Sequence, residues 1–374
     1  ESQSEVSGRV EEKGAASNMV IHELRVENFK RFETLTLKLH SQFNLLVGNN
    51  GSGKTSALDA LAVAMGGWLL GIPEAESRHI RPDEIREISQ VFDFGEVRFE
   101  KPGPARIIAT GTVAGTEVRW ERQLKAGGRT TRREAAAITE LAEETVKRVL
   151  GGASAVLPLL SYYGTGRLWL EPRENSQVKD PKQLQSEART SRMDGYKNSA
   201  DPRISVRDLV RWFAQRSWSA YRTRKKSPAA LDLVKSALLG CLEGASDLYF
   251  DPDRGEMMVS FEDQGLQPFA NLSDGQRSMF ALVGDLAQKA IKLNPQFGKD
   301  ALLKTPGIVL IDELDLHLHP QWQRRVVDDL TRTFPLVQFV CTTHSPQIIG
   351  QVRPEQLRVL DGNTVLGVEK SFGL

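Results

Sequence analysis

The sequence predicts an α/β fold, a mixed β-sheet core flanked by helices, with an antiparallel β part and a compact, mainly helical insertion. Three observations predict it. First, a short apolar run, Phe43–Val47, ends in a glycine-rich turn and leads into an Ala- and Leu-rich helix, Ser56–Leu70. Second, Ile308–Ile311 and Val337–Cys341 have the uninterrupted hydrophobicity of strands buried on both faces, as in parallel sheets. Third, Arg106–Val113 and Thr116–Leu124 are strand-like runs around Ala114-Gly115 and read as an antiparallel hairpin.

The remaining elements follow in chain order. Val20–Val26 reads as a strand, followed by Asn28-Phe29-Lys30-Arg31-Phe32. A basic loop at 126–134 leads into a helix that runs to Leu150. Leu157–Trp169 is an apolar strand with a glycine-containing turn behind it. Residues 171–203 are polar, carry no core pattern and read as a flexible or surface segment. Val206–Leu242 reads as helical and Met257–Phe261 as a strand, and Leu272–Ser278 opens a helix that ends near Lys292. The expected organisation is a tail over 1–18, an N-terminal lobe over 19–170, a flexible segment and helical insertion over 171–250, and a C-terminal lobe over 251–374.

With 374 residues the chain has room for one large domain or a core domain with a sizeable insertion. Lys and Arg number 49 against 48 Asp and Glu, so overall charge gives no argument for a polyanionic partner. Local basic stretches remain, Arg129–Arg133 and Arg222–Lys226, the second close to Trp212, Trp218 and Tyr221. They read either as a nucleic-acid-binding patch or as a solvated helix face with the aromatics in the core. The two cysteines, Cys241 and Cys341, lack metal-ligand spacing and imply no disulfide framework, which fits a reducing cytoplasm. No apolar run approaches the roughly 18 residues of a membrane span. Glu1–Asn18 is polar and reads as a disordered tail or foreign remnant, with Met19 as the natural start.

Gly48–Thr55, GNNGSGKT, satisfies every fixed position of G-x-x-x-x-G-K-[ST] between an apolar strand and a helix. Glycines let backbone approach phosphate oxygens, and the helix start presents free N–H groups to the anion. Lys54 supplies a charge for the β- and γ-phosphates of ATP and Thr55 a hydroxyl for Mg²⁺. Asn49, Asn50, Gly51, Ser52, Gly53, Lys54, Thr55 and Ser56 are therefore the predicted ATP-binding loop.

Such a loop needs a second strand ending in an acid near Mg²⁺, and Ile308–Ile311 followed by Asp312 supplies it. Glu313 comes next and is the predicted general base for the attacking water. The same stretch, Asp312 to Pro320, also offers Asp312, Asp315, His317 and His319 as an alternative metal site, although His317-Leu318-His319-Pro320 reads equally as a loop entering a helix. His344 follows the apolar run Val337–Cys341, at the strand end where open α/β sheets bind ligands, and is a candidate γ-phosphate contact or water-orienting group. Leu272–Gln276, LSDGQ, reads as a helix start that Ser273 caps.

In that order, GNNGSGKT, LSDGQ, VLIDE and TTHS resemble the ABC-type P-loop ATPase head. The resemblance is closer to the SMC-, RecF- and OLD-like branch, through Glu23–Phe32 and the Asp312–Pro320 stretch. Leu157–Trp169 is similar to AAA/ABC-like ATPases of bacterial anti-phage systems, PtuA-like proteins of Septu systems among them. The resemblance covers most of residues 19–360 and implies two heads closing around ATP, with Ser273, Gly275 and Gln276 of one head capping the γ-phosphate held by the other. Asp315 matches the loop that crosses between heads. Asp274 departs from the glycine usual at its position and would repel a phosphate unless it points away. The glutamine that completes the Mg²⁺ shell is not assigned, Gln90 being a candidate.

The absence of heptads between Thr55 and Leu272 excludes long SMC-type coiled coils. Ser345–Leu374 is too short for the nuclease domain that OLD-type members carry there. The resemblance therefore implies a homodimeric or higher homo-oligomeric, cytoplasmic ATPase without a membrane partner. It would serve as sensor or regulator beside a separate effector, which is a nuclease if the system cuts nucleic acid. The rival readings are a RecF-like repair ATPase that binds DNA, a transporter subunit, against which the insertion and the Asp312–Pro320 stretch argue, and a non-hydrolysing ATP-binding scaffold, against which Glu313 argues.

Overall fold

The structure, a computed structural model, describes residues 19–92, 96–125, 127–167, 191–203, 206–223 and 229–367. The expected tail over 1–18, residues 171–190 of the polar segment and the side chains of Arg222–Lys226 lie outside it.

Two sheets sandwich one helix. The first is antiparallel, in the order β2-β1-β6-β7: β1 Met19–Phe29, β2 Phe32–Lys38, β6 Ala105–Val113 and β7 Thr116–Leu124. The second has six strands, β15-β14-β3-β13-β12-β8: β3 Phe43–Val47, β8 Leu159–Tyr163, β12 Gly307–Ile311, β13 Val337–Thr342, β14 Leu357–Asp361 and β15 Thr364–Gly367. All of its pairings are parallel except β14 with β15. The expected mixed sheet and antiparallel part are both present.

Helix α1, Lys54–Leu69, runs between the sheets and touches β1, β6 and β7 on one side and β12 and β13 on the other. From Ala57 onward its sequence is apolar on every face apart from Asp59, as a helix buried between two sheets requires. Trp120 Nε1 donates to Ala64 O at 2.9 Å, tying β7 to it. Gln338, wholly buried on β13, joins the two sheets: its amide accepts from Ile21 N at 2.9 Å and donates to Ile21 O at 2.8 Å. There β1 shifts register against β6, so a side-chain amide takes over backbone groups freed from the ladder.

Helix α2, Ala136–Leu150, covers α1 and β7. The segment read as helical holds α3, Val206–Thr223, and α4, Ala229–Cys241, with 224–228 outside the described residues. Trp212 of α3 is buried edge-on to Phe213, which places that aromatic in the core. Two small antiparallel sheets complete the chain: a ribbon of β4 Ile88–Val91 with β5 Val97–Glu100, and β9 Ala245–Asp251, β10 Glu256–Phe261 and β11 Gly265–Pro268. Helix α5, Asp274–Leu293, docks on β8 through polar contacts: Tyr163 OH donates to Asp285 Oδ2 at 2.6 Å and Lys289 Nζ to Ser161 Oγ at 3.1 Å.

Residues 191–203 correct an expectation. Part of this segment is packed: Gly195, Tyr196 and Ser199 are buried, while Ser191, Lys197, Asn198, Pro202 and Arg203 are exposed. Tyr196 is 1% exposed and accepts a hydrogen bond from Trp68 Nε1 at 3.1 Å. Its backbone also covers the free edge of β8: Tyr162 N donates to Ser199 O at 3.0 Å and Gly164 N to Pro202 O at 2.7 Å.

A buried ionic cluster fixes the β1–β2 turn to α1. Lys30 pairs with Asp59 of α1, and Tyr162 OH of β8 donates to the same carboxylate at 3.3 Å. Glu84, 2% exposed, accepts from Arg78 Nη1 at 3.0 Å and from Arg81 N at 2.9 Å, and lies 3.4 Å from Lys30 Nζ. Burial by itself would raise the Glu84 pKa, but the hydrogen bonds and charges of Arg78 and Arg81 outweigh it and bring it down to about 2. A depressed carboxylate contributes stability above its unfolded value and loses it as pH falls through the folded one. Glu84→Gln is expected to lower unfolding free energy at pH 7 by roughly 3 kcal/mol. The wild-type advantage should fade between the ordinary Glu pKa of 4.5 and about 2, as urea unfolding across that range would show.

Candidate functional site

The parallel sheet brings three strand ends to one edge. β3 ends at Val47 and passes into the glycine-rich loop, β12 ends at Ile311 before the acid pair, and β13, lying between them, ends at Thr342. The loop is compact. Gly48 has φ 152°, and a Cβ there would stand 2.6 Å from Ser52 Oγ and 2.5 Å from Leu360 O. Gly53, at φ 101°, is the N-cap of α1. Asn49, Asn50, Gly51 and Thr55 are exposed, Ser56 half-buried, and Ser52, Gly53 and Lys54 buried. Lys54 turns its ammonium into the loop and donates to Gly48 O at 2.8 Å and Asn49 O at 3.1 Å. Burial pulls its pKa below the ordinary value, and Asp312 and Glu313 oppose that.

Thr55 and Asp312, far apart in sequence, meet: Thr55 Oγ1 donates to Asp312 Oδ2 at 2.8 Å. The other carboxylate oxygen accepts from Thr342 Oγ1 at 2.6 Å. Thr342 Oγ1 also accepts from Glu313 N at 2.7 Å, and so ties both acids to β13. Glu313 is half-buried and leaves the strand with a left-handed φ of 50°. Two hydroxyls on one buried carboxylate form a set of hard oxygen donors, the kind that Mg²⁺ prefers. A Cβ on Gly48 or Gly53 would collide with Leu360 O, Ser52 or the Phe32 ring, so the tight course of the loop requires glycine at both positions. The residues present therefore fit a magnesium-bound triphosphate.

His344 is exposed just beyond β13, and its backbone N–H donates to Asp315 Oδ1 at 3.3 Å. Thr343 Oγ1 donates to the same oxygen, so Asp315 ties the loop after β12 to the end of β13. His319 caps the short helix Pro320–Gln323. Asp312, Asp315 and His319 thus have separate contacts, and no group of three or more His, Cys, Asp or Glu able to hold a metal ion occurs among the described residues.

Ser273 caps α5 in a capping box. Its backbone N–H donates to Gln276 Oε1 at 2.9 Å, and its Oγ accepts from Gln276 N at 3.3 Å. Asp274 pairs with Arg277 one turn on. Gly275 is buried where a Cβ would lie 2.6 Å from His317 O and 3.1 Å from the Trp322 ring, so this helix start packs on the loop behind the acid pair. Among the described residues no hydrogen bond joins 273–276 to 48–56. Gln90 lies on the exposed β4–β5 ribbon, opposite Arg98.

Sequence reasoning missed three residues. Thr342 is one. Arg31 is another: a Cβ on Gly53 would stand 2.8 Å from its Cδ, and one on Gly51 3.9 Å from its Nη1. The third is Arg167, 2% exposed, whose guanidinium donates to Asp312 O at 2.7 Å and to Glu313 O at 3.0 Å. Nothing local in Gly164-Thr165-Gly166-Arg167 signals that contact.

This architecture is that of an ABC-type P-loop ATPase head. A solved SMC head, bound in that structure to the C-winged helix domain of ScpA, superposes with a TM-score of 0.51 at 15% identity over 94% of this chain and 98% of its own. The chain belongs to the family described as AAA domain, putative AbiEii toxin, Type IV TA system, whose model matches residues 43–350. A second model, an AAA ATPase domain, matches residues 19–65. Among curated proteins the chain is 26% identical to the Retron Ec83 probable ATPase of Escherichia coli, over 91% of this chain and 71% of that protein. It is 24% identical to the Septu protein PtuA of Bacillus mycoides, over 90% of this chain and only 39% of that protein.

Thr342→Val keeps the shape but leaves the Glu313 N–H and one Asp312 oxygen unpaired. It is expected to lower stability by about 2 kcal/mol, and Thr342→Ser by much less, in denaturant titrations without nucleotide.

Proposed function

We propose that the chain binds ATP with Mg²⁺ in the Gly48–Ser56 loop and hydrolyses it, and that two copies close around the nucleotide. The observation that carries this is the 2.8 Å contact between Thr55 and Asp312, which joins the phosphate loop to the acid-bearing strand. Thr55 and Asp312 would hold the Mg²⁺, which would supply positive charge against the phosphates. Lys54 exchanges the Gly48 and Asn49 carbonyls for phosphate oxygens. Glu313 takes the proton of the attacking water, and His344, at the neighbouring strand end, orients that water or contacts the γ-phosphate.

Ser273, Gly275 and Gln276 act from the second copy. The start of α5 offers N–H groups and partial positive charge, and Arg277 neutralises Asp274 beside it. Within one copy the hydrogen bonds of Ser273 and Gln276 close on their own turn as a capping box. The named retron and Septu relatives support a place in anti-phage defence, in the cytoplasm, as the regulatory ATPase beside a separate effector. No helix among the described residues is long and apolar enough to cross a membrane.

Glu313→Gln is expected to cut ATP turnover by about 100-fold or more while keeping Mg–ATP binding. Light scattering should then show its mass rising with ATP, more than for wild type. Turnover equal to wild type in Glu313→Gln would sink the hydrolytic role. A mass indifferent to ATP would sink nucleotide-driven pairing. Turnover stimulated by DNA, with no effector involved, would favour the repair-type reading instead.

A further inference from the structure

We infer that Arg167 is a positioning residue for the acid pair, a buried fork that holds the backbone of Asp312 and Glu313 as they leave β12. The inference rests on the reading of Glu313 as the base. Arg167 sits in the turn after β8, the strand that pairs in parallel with β12, with Tyr163 beside Ile311. From there one guanidinium reaches three carbonyls: Nη1 donates to Gly164 O at 3.2 Å and to Asp312 O at 2.7 Å, and Nη2 to Glu313 O at 3.0 Å.

Both sides of the Glu313 backbone are therefore held, its N–H by Thr342 Oγ1 at 2.7 Å and its C=O by Arg167. That double grip falls on a residue at φ 50°, a conformation that non-glycine residues avoid unless their surroundings enforce it. The charge matters as well. Asp312, Glu313 and Asp315 crowd three carboxylates into four residues, and a buried cation nearby offsets them. Yet among the described residues Arg167 donates to carbonyls and to no carboxylate, so it compensates the acids without occupying the oxygens they need for metal and water. A lysine keeps the charge but lacks the planar fork that spans two successive carbonyls.

The test compares the full chain carrying Arg167→Met, Arg167→Lys or Glu313→Gln with wild type. Two properties are read: amide hydrogen exchange at Glu313 and Leu314 without nucleotide, and Mg–ATP affinity against kcat. The expected result for Arg167→Met is exchange faster by about tenfold and kcat lower by about 100-fold, with ATP affinity within about threefold of wild type. Arg167→Lys should fall between. Wild-type exchange and kcat in both variants would overturn the inference, as would affinity falling in step with kcat. Loss of the folded state in both would assign Arg167 to the core alone. If Glu313→Gln turns over like wild type, the base assignment is what fails, and hydrogen exchange alone decides whether Arg167 holds this backbone.

Discussion

The site depends on one buried carboxylate. Asp312 is 3% exposed, yet it is tied to four parts of the chain: Thr55 at the start of α1, Thr342 at the end of β13, Arg167 on its carbonyl and Tyr163 O on its N–H. A carboxylate in such a place is tolerable only with its oxygens hydrogen-bonded and positive charge at hand, and two hydroxyls with Lys54 and Arg167 close by meet that need. The carboxylate proposed to hold Mg²⁺ is thus also the joint of the sheet edge. Chemistry and architecture are not separable at this residue.

Strand β8 extends that joint outward. Its side chains alternate between faces, so Tyr162 reaches Asp59 on α1 while Ser161 and Tyr163 reach Lys289 and Asp285 on α5. The turn beyond it supplies Arg167. One strand therefore connects the helix behind the phosphate loop, the acid pair and the helix that begins at Ser273. These are the parts that must hold a common geometry if the helix start is to meet a nucleotide bound by another copy.

Much of this was legible in the sequence because it is local. A phosphate loop is a run of adjacent residues, and the strands around it are continuous apolar stretches. The hairpin was readable from two runs and the Ala114-Gly115 turn, which is where β6 and β7 join. Contacts made across the fold were not readable. Nothing in Gly164–Arg167 announces a guanidinium reaching residues near 312, and nothing in Arg78–Glu84 announces a closed ionic cluster. Residues 191–203 misled for a different reason: polar composition suggested exposure, whereas Tyr196 and the backbone around it are anchored by hydrogen bonds rather than by an apolar pattern.

The backbone of Ser199–Pro202 lies along the open side of β8 and takes up N–H groups that the sheet leaves unpaired. An uncovered strand of this kind is a template on which a foreign or sister strand can add. With that side closed, growth of the sheet from one molecule to the next is blocked there.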